Sequence, residues 1–160
     1  MRAYGAGMEY GMVDRIGHIA FYVEDIEASV EFYGRALGFK EAFRITRDDG
    51  SLGLVYLHVS ESEFLELFQA KSPAPPNAAG VVGSSGDVRG YAHYCVQVPC
   101  LEEAYEKASA AGAPIDVEIR TGMSKCRMFW THDPDGNKIE VMELPPESMQ
   151  AQATKRMQGG

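Results

Sequence analysis

Two histidines and two glutamates recur in this chain at almost one spacing: His18 and Glu66 lie 48 residues apart, His93 and Glu140 lie 47 apart. Imidazoles combined with carboxylates neutralise a divalent cation such as Ni, Co, Zn or Mn and leave room for water, so the pattern reads as a metal site built twice. A step of 75 residues carries His18 onto His93, and Ile26, Val30 and Tyr33 onto Leu101, Tyr105 and Ala108. A one-residue deletion resets the step to 74, which carries Gly38 onto Gly112 and Glu66 onto Glu140. One supersecondary unit therefore occurs twice, each copy contributing one His and one Glu.

The flanks say where these side chains point. His18 lies in Arg-Ile-Gly-His-Ile-Ala-Phe-Tyr-Val and His93 in Tyr-Ala-His-Tyr-Cys-Val-Gln-Val; Glu66 sits between Leu65 and Leu67, Glu140 between Ile139 and Val141. All four read as strand residues with period 2, so the apolar neighbours pack on a core while His or Glu projects from the other face. A carboxylate inside an apolar strand is costly unless paired or metal-bound. Lys138, on the strand face of Glu140, is the alternative partner to a metal. His58 and His132 are given no partner in the repeat and read as structural or surface histidines. Cys95, two residues beyond His93, reads as a small buried filler, with a pocket-lining role as the alternative. Tyr22 and Gln97 continue the two ligand-bearing faces and are candidates to touch substrate. Lys125, Arg127 and Trp130 precede Glu140; there a cation would meet an anionic substrate and the indole would cover it, with a core Trp and a solvated Lys as the alternative.

The elements that must position these groups follow from the punctuation. Asp25 caps a helix over about 26–37 that Gly38 stops. Strands fit about 16–23, 39–47, 52–60 and 62–69, with Asp48-Asp49-Gly50 as the first turn. The second copy has a strand to about Val98, a helix from about Leu101 to Ala111 ended by Gly112, and strands near 113–120, 126–132 and 137–143. Asp133-Pro-Asp-Gly-Asn137 is the tight turn that fixes the register presenting Glu140. The organisation is a flexible segment at 1–14, a βαβββ module at 15–70, a Pro/Gly/Ser-rich linker at 71–89, a second module at 90–144 and a loose polar tail at 145–160.

Composition narrows the function class. At 160 residues and 45% hydrophobic content the chain can bury a real core. A net charge of −8 argues against a nucleic-acid surface. No apolar run approaches a membrane span and the first residues lack a signal peptide, so a soluble cytoplasmic protein acting on a small molecule is expected. Cys95, Cys100 and Cys126 form no CxxC pair and are expected as reduced thiols.

The two βαβββ copies, the His near the start of each, the Asp-Pro-Asp-Gly-Asn turn and the Ile-Glu-Val after it resemble the vicinal oxygen chelate superfamily, the glyoxalase, bleomycin-resistance and dioxygenase group. The resemblance covers about residues 16–144. It implies an α+β fold whose two modules pair into a cupped, mostly antiparallel sheet around one divalent metal. The glyoxalase I ligand order His, Glu, His, Glu is matched by His18, Glu66, His93 and Glu140. Extradiol dioxygenases use two His and one Glu with Fe, and methylmalonyl-CoA epimerases carry Gln at the second ligand position, so Glu66 favours a glyoxalase-like lyase or isomerase with Glu140 and Glu66 as the candidate bases. The alternatives are an epimerase or ring-cleaving dioxygenase, or a bleomycin-resistance-type binding protein. Short bacterial glyoxalases place an Arg four residues after the first His and an Asn four after the first Glu to grip glutathione; this chain has Tyr22 and Ala70. The resemblance further implies a homodimer, with the cup formed within one chain or by module exchange.

Overall fold

The computed structural model describes residues 16–70 and 91–158. The expected N-terminal lead and the whole of the expected linker lie outside the described residues. The first module runs β1 (His18–Val23), α1 (Ile26–Leu37), β2 (Lys40–Thr46), β3 (Leu52–Ser60) and β4 (Glu63–Gln69). The second runs β5 (Tyr94–Gln97), α2 (Leu101–Ala110), β6 (Val117–Thr121), β7 (Arg127–His132) and β8 (Lys138–Glu143), followed by α3 (Met149–Gln158). Each module forms its own mixed sheet, in the orders β1-β4-β3-β2 and β5-β8-β7-β6. The first strand of each is parallel to the last and every other pairing is antiparallel. The α+β class and the doubled βαβββ plan are as the sequence indicates.

Alternation sorts each strand into two faces. Val55, Leu57, Leu65 and Leu67 turn to one side of the first sheet, Phe129, Ile139 and Val141 to one side of the second, and all join a single core with Ile26, Tyr33, Leu101 and Ala108 from the helices. The modules meet through α1 against α2, so one core serves both. Asp25 caps α1 as expected, accepting from the amides of Glu27 and Ala28, while Cys100 at the head of α2 makes no side-chain cap. Gly38 and Gly112 both stop their helices in the left-handed region, φ 75° and 81°.

The 133–137 turn does more than reverse the chain. One Asp133 oxygen accepts from the amides of Asp135 and Asn137, the other from the Asn137 amide side chain and, at 2.6 Å, from the hydroxyl of Tyr33 on α1. Asp133 is buried, so this satisfied carboxylate ties the turn that sets β8 to the helix of the other module. Asp135 adds a second tie by accepting from the Glu24 amide at 2.8 Å.

Two expectations fail locally. Residues 149–158, expected as loose tail, form α3, because Ser148 caps it and Gln150 accepts from the buried thiol of Cys126. His93 stands one residue before β5 rather than inside it. Among the described residues no helix is long and apolar enough to cross a membrane.

Candidate metal centre

Each His finds the Glu of its own module. His18 begins β1, and its Nε2 lies 3.5 Å from Glu66 on the adjacent β4; His93 Nε2 lies 3.2 Å from Glu140 on β8. Both pairs sit on the sheet faces away from the core, because Leu65 and Leu67, or Ile139 and Val141, occupy the core side. Glu66 is 7% exposed although it points away from the core, shielded by the rings on its own face. Lys138 makes no ion pair with Glu140 among the described residues; His93 takes that place.

An imidazole beside a carboxylate is a fitting donor pair for a divalent cation. Among the described residues no group of three or more His, Cys, Asp or Glu side chains gathers as a metal cage. The two pairs belong to separate sheets, and each offers two donors.

Register identifies the neighbours. Tyr56 of β3 lies opposite Glu66, and Trp130 of β7 lies opposite Glu140. The Tyr56 phenol faces the Glu66 carboxylate, and that interaction raises the phenol above its ordinary pKa. Tyr56 also meets His18 edge-on at 5.8 Å between ring centroids, and Trp130 meets His93 edge-on at 4.7 Å. Tyr56 escaped the sequence reading, yet the 74-residue step that links the two glutamates also carries Tyr56 onto Trp130. The same step carries His58 onto His132, so these histidines do have partners in the repeat, contrary to the expectation. Both share the ligand-bearing faces; His132 Nδ1 is 2.9 Å from Asp116, and His58 Nε2 is 3.2 Å from the Glu61 carbonyl oxygen.

The remaining candidates divide. Tyr22 lies on the face of His18, 76% exposed and stacked on Phe68. Gln97 pairs with Met142 on the Glu140 face. Trp130 is on that face too, its indole nitrogen buried without a hydrogen-bond partner among the described residues. Arg127 is not: it has the opposite parity from Trp130 and pairs with Glu102 of α2 and Glu143 of β8, so its charge is spent on the other side of the sheet. Lys125 sits in the turn before β7 at φ 61°, its amide donating to the Gly122 carbonyl. Cys95 is exposed as a residue rather than a core filler, since it lies opposite Glu140 in the register; partial desolvation of its sulfur against the sheet and the nearby Glu140 push its thiol up to about 12.

Comparison with known proteins agrees with this architecture. The profile of the glyoxalase/bleomycin resistance protein/dioxygenase superfamily matches residues 15–141. An uncharacterised Bacillus subtilis (strain 168) protein, YwbC, is 34% identical over 136 residues, 82% of this chain and 99% of that protein. A lactoylglutathione lyase of Pseudomonas putida is 26% identical over 147 residues, 81% of this chain and 84% of that enzyme. The crystal structure of a glyoxalase family protein from Enterococcus faecalis superposes with a TM-score of 0.64 at 25% identity, covering 81% of this chain and 97% of that one. The profile spans most of the chain, and the doubled modules carry their His–Glu pairs on matching faces: this protein belongs to the glyoxalase/bleomycin resistance protein/dioxygenase superfamily.

Proposed function

We propose that this chain is a metal-dependent enzyme of the glyoxalase I kind, moving a proton beside the carbonyl of a small oxygen-chelating substrate, and that two copies complete its metal centre. The observation that carries the reading is the pair of repeat-related His–Glu contacts, 3.5 and 3.2 Å, on faces the core leaves free. Each chain holds two half-centres on separate sheets. A two-fold partner would set His18 and Glu66 of one copy against the second-module pair of the other, giving two whole centres per dimer. Similarity to lactoylglutathione lyases supports the reaction class.

A divalent ion held there would polarise the substrate's vicinal oxygens and stabilise the charge that develops when the proton leaves. The chain's own residues then divide the work. Tyr56 sets a phenol directly across from Glu66, whereas the residue across from Glu140 on β5 is the weak donor Cys95. Glu140 is therefore the carboxylate that takes the proton from the carbon beside the carbonyl and returns it to the neighbouring carbon. His18 and His93 hold the two carboxylates in place. Tyr22 and Ala70 supply neither the cation nor the amide that would grip glutathione, and the Ala70 amide is engaged by the Val23 carbonyl at 2.9 Å. The glutathione adduct of methylglyoxal is accordingly a poor substrate.

Mixed dimers test the shared centre. His18→Ala and His93→Ala chains, each expressed alone, should bind no metal tightly. Co-expressed under separate tags and purified as the heterodimer, they should regain about one ion per dimer, because one centre then keeps all four ligands. Metal retained by either single variant, or none in the heterodimer, would sink the arrangement.

A further inference from the structure

Around Glu66 the ligand-bearing face of the first sheet is almost wholly aromatic. Phe64 and Phe68 lie two residues to either side of it on β4, and Tyr56 lies opposite on β3. Phe43 on β2 stacks on Tyr56 at 4.6 Å, and Tyr22 on β1 stacks on Phe68 at 5.2 Å. Two ring clusters thus flank one candidate ligand, one starting at its direct cross-strand neighbour Tyr56, about 5 Å away between Cβ atoms, the other at Phe68, about 7 Å along the strand. Phe43 and Tyr22 remain 47% and 76% exposed, a placement that gains nothing for the core. Apart from its partner His18, the immediate neighbours of Glu66 on this face are Ala20, Tyr56, Phe64 and Phe68, with no Lys or Arg among them.

Resting on the metal-centre reading above, we propose that the site takes an oxygen-chelating substrate whose chelating carbon bears an aromatic ring, seated between the Phe43–Tyr56 and Tyr22–Phe68 clusters. An aryl group joined directly to the chelating carbonyl has the reach of these clusters, and ring-on-ring contact rewards it over an alkyl group of similar polarity. Trp130, beside His93, supplies a further aromatic surface from the second module.

A matched pair of bidentate oxygen chelators tests this: benzohydroxamate and acetohydroxamate, which differ in phenyl against methyl. Each is titrated into the Co²⁺-loaded protein, with the visible Co²⁺ spectrum reporting entry to the metal and calorimetry the affinity. Benzohydroxamate should bind about tenfold or more tighter, after correction for the ratio measured with free Co²⁺. Phe43→Ala and Tyr22→Ala, both at exposed positions, should narrow that ratio about threefold or more. Equal binding of the two probes would overturn the aromatic seat while leaving the metal centre standing, and so would a ratio unchanged in both variants. No spectral change with either probe would overturn the metal-centre reading and this inference with it.

Discussion

The two modules set the same His–Glu pair on different ground. In the first, the carboxylate is ringed by Tyr56, Phe64 and Phe68; in the second, its neighbours are Cys95, Trp130, Lys138 and Met142. Beyond Trp130, the thioethers of Met128 and Met142 gather with Cys126 into a small cluster of their own, at the end that α3 covers. On the core side the modules stay alike: Leu65 and Leu67 answer to Ile139 and Val141, and a βαβββ order repeats around them. The difference teaches where each constraint acts. Packing against a shared core holds the inner faces to one pattern, because volume changes there are felt at once. Under the proposed metal centre the outer faces need keep only one His and one Glu each, and what surrounds those can diverge with what the site receives.

The largest expected effect breaks the symmetry of the two carboxylates. Glu140→Gln should cut turnover by about 10²–10⁴-fold, about 3–5 kcal/mol in barrier, while keeping the fold. Glu66→Gln should cost less, because Glu66 is buried among Tyr56, Phe64 and Phe68 and is not the proposed base. Solvent deuterium exchange at a 2-hydroxycarbonyl carbon reads both variants; equal losses would erase the distinction, and no exchange with any such compound would count against the proton-transfer class.

A smaller effect sharpens the comparison at the module junction. Tyr33, whose repeat equivalent is Ala108, bonds the buried Asp133 across the junction. Tyr33→Phe should lower unfolding free energy by about 1–3 kcal/mol, since a buried carboxylate oxygen loses a donor. Urea unfolding of the variant would show it; an unchanged midpoint would mean the tie carries no net stability.

The helix starts give the smallest effect and one of opposite sign in each module. Asp25→Ala should destabilise by about 1 kcal/mol, and Cys100→Asp should stabilise by a similar amount by supplying the cap α2 lacks. Thermal midpoints of the two variants should move in opposite directions.

Much of this molecule was legible in the residues themselves. Period 2 around Glu66 and Glu140 put them opposite a core, and glycines at 38 and 112 ended the helices because those backbones need the left-handed region. The repeat was readable too, but only as far as strand pairing was not required. Tyr56 and the His58–His132 relation were open to the same 74-residue step but went unread; what that step could not give is that Tyr56 lies across from Glu66, which only strand pairing sets. Arg127 was misplaced for a related reason. Its parity in β7 depends on the register against β8, and one residue of slip exchanges the faces.

Local pattern therefore determined the elements, the duplication and the identity of the four candidate ligands, since each follows from spacing along one strand or helix. Tertiary structure alone decided which neighbours surround those ligands. It seated Asp133 under Tyr33, folded the tail as α3 against Cys126, and left the two His–Glu pairs on separate sheets. Such contacts join residues far apart in the chain, and their geometry is set by the packing of a shared core that no single segment encodes.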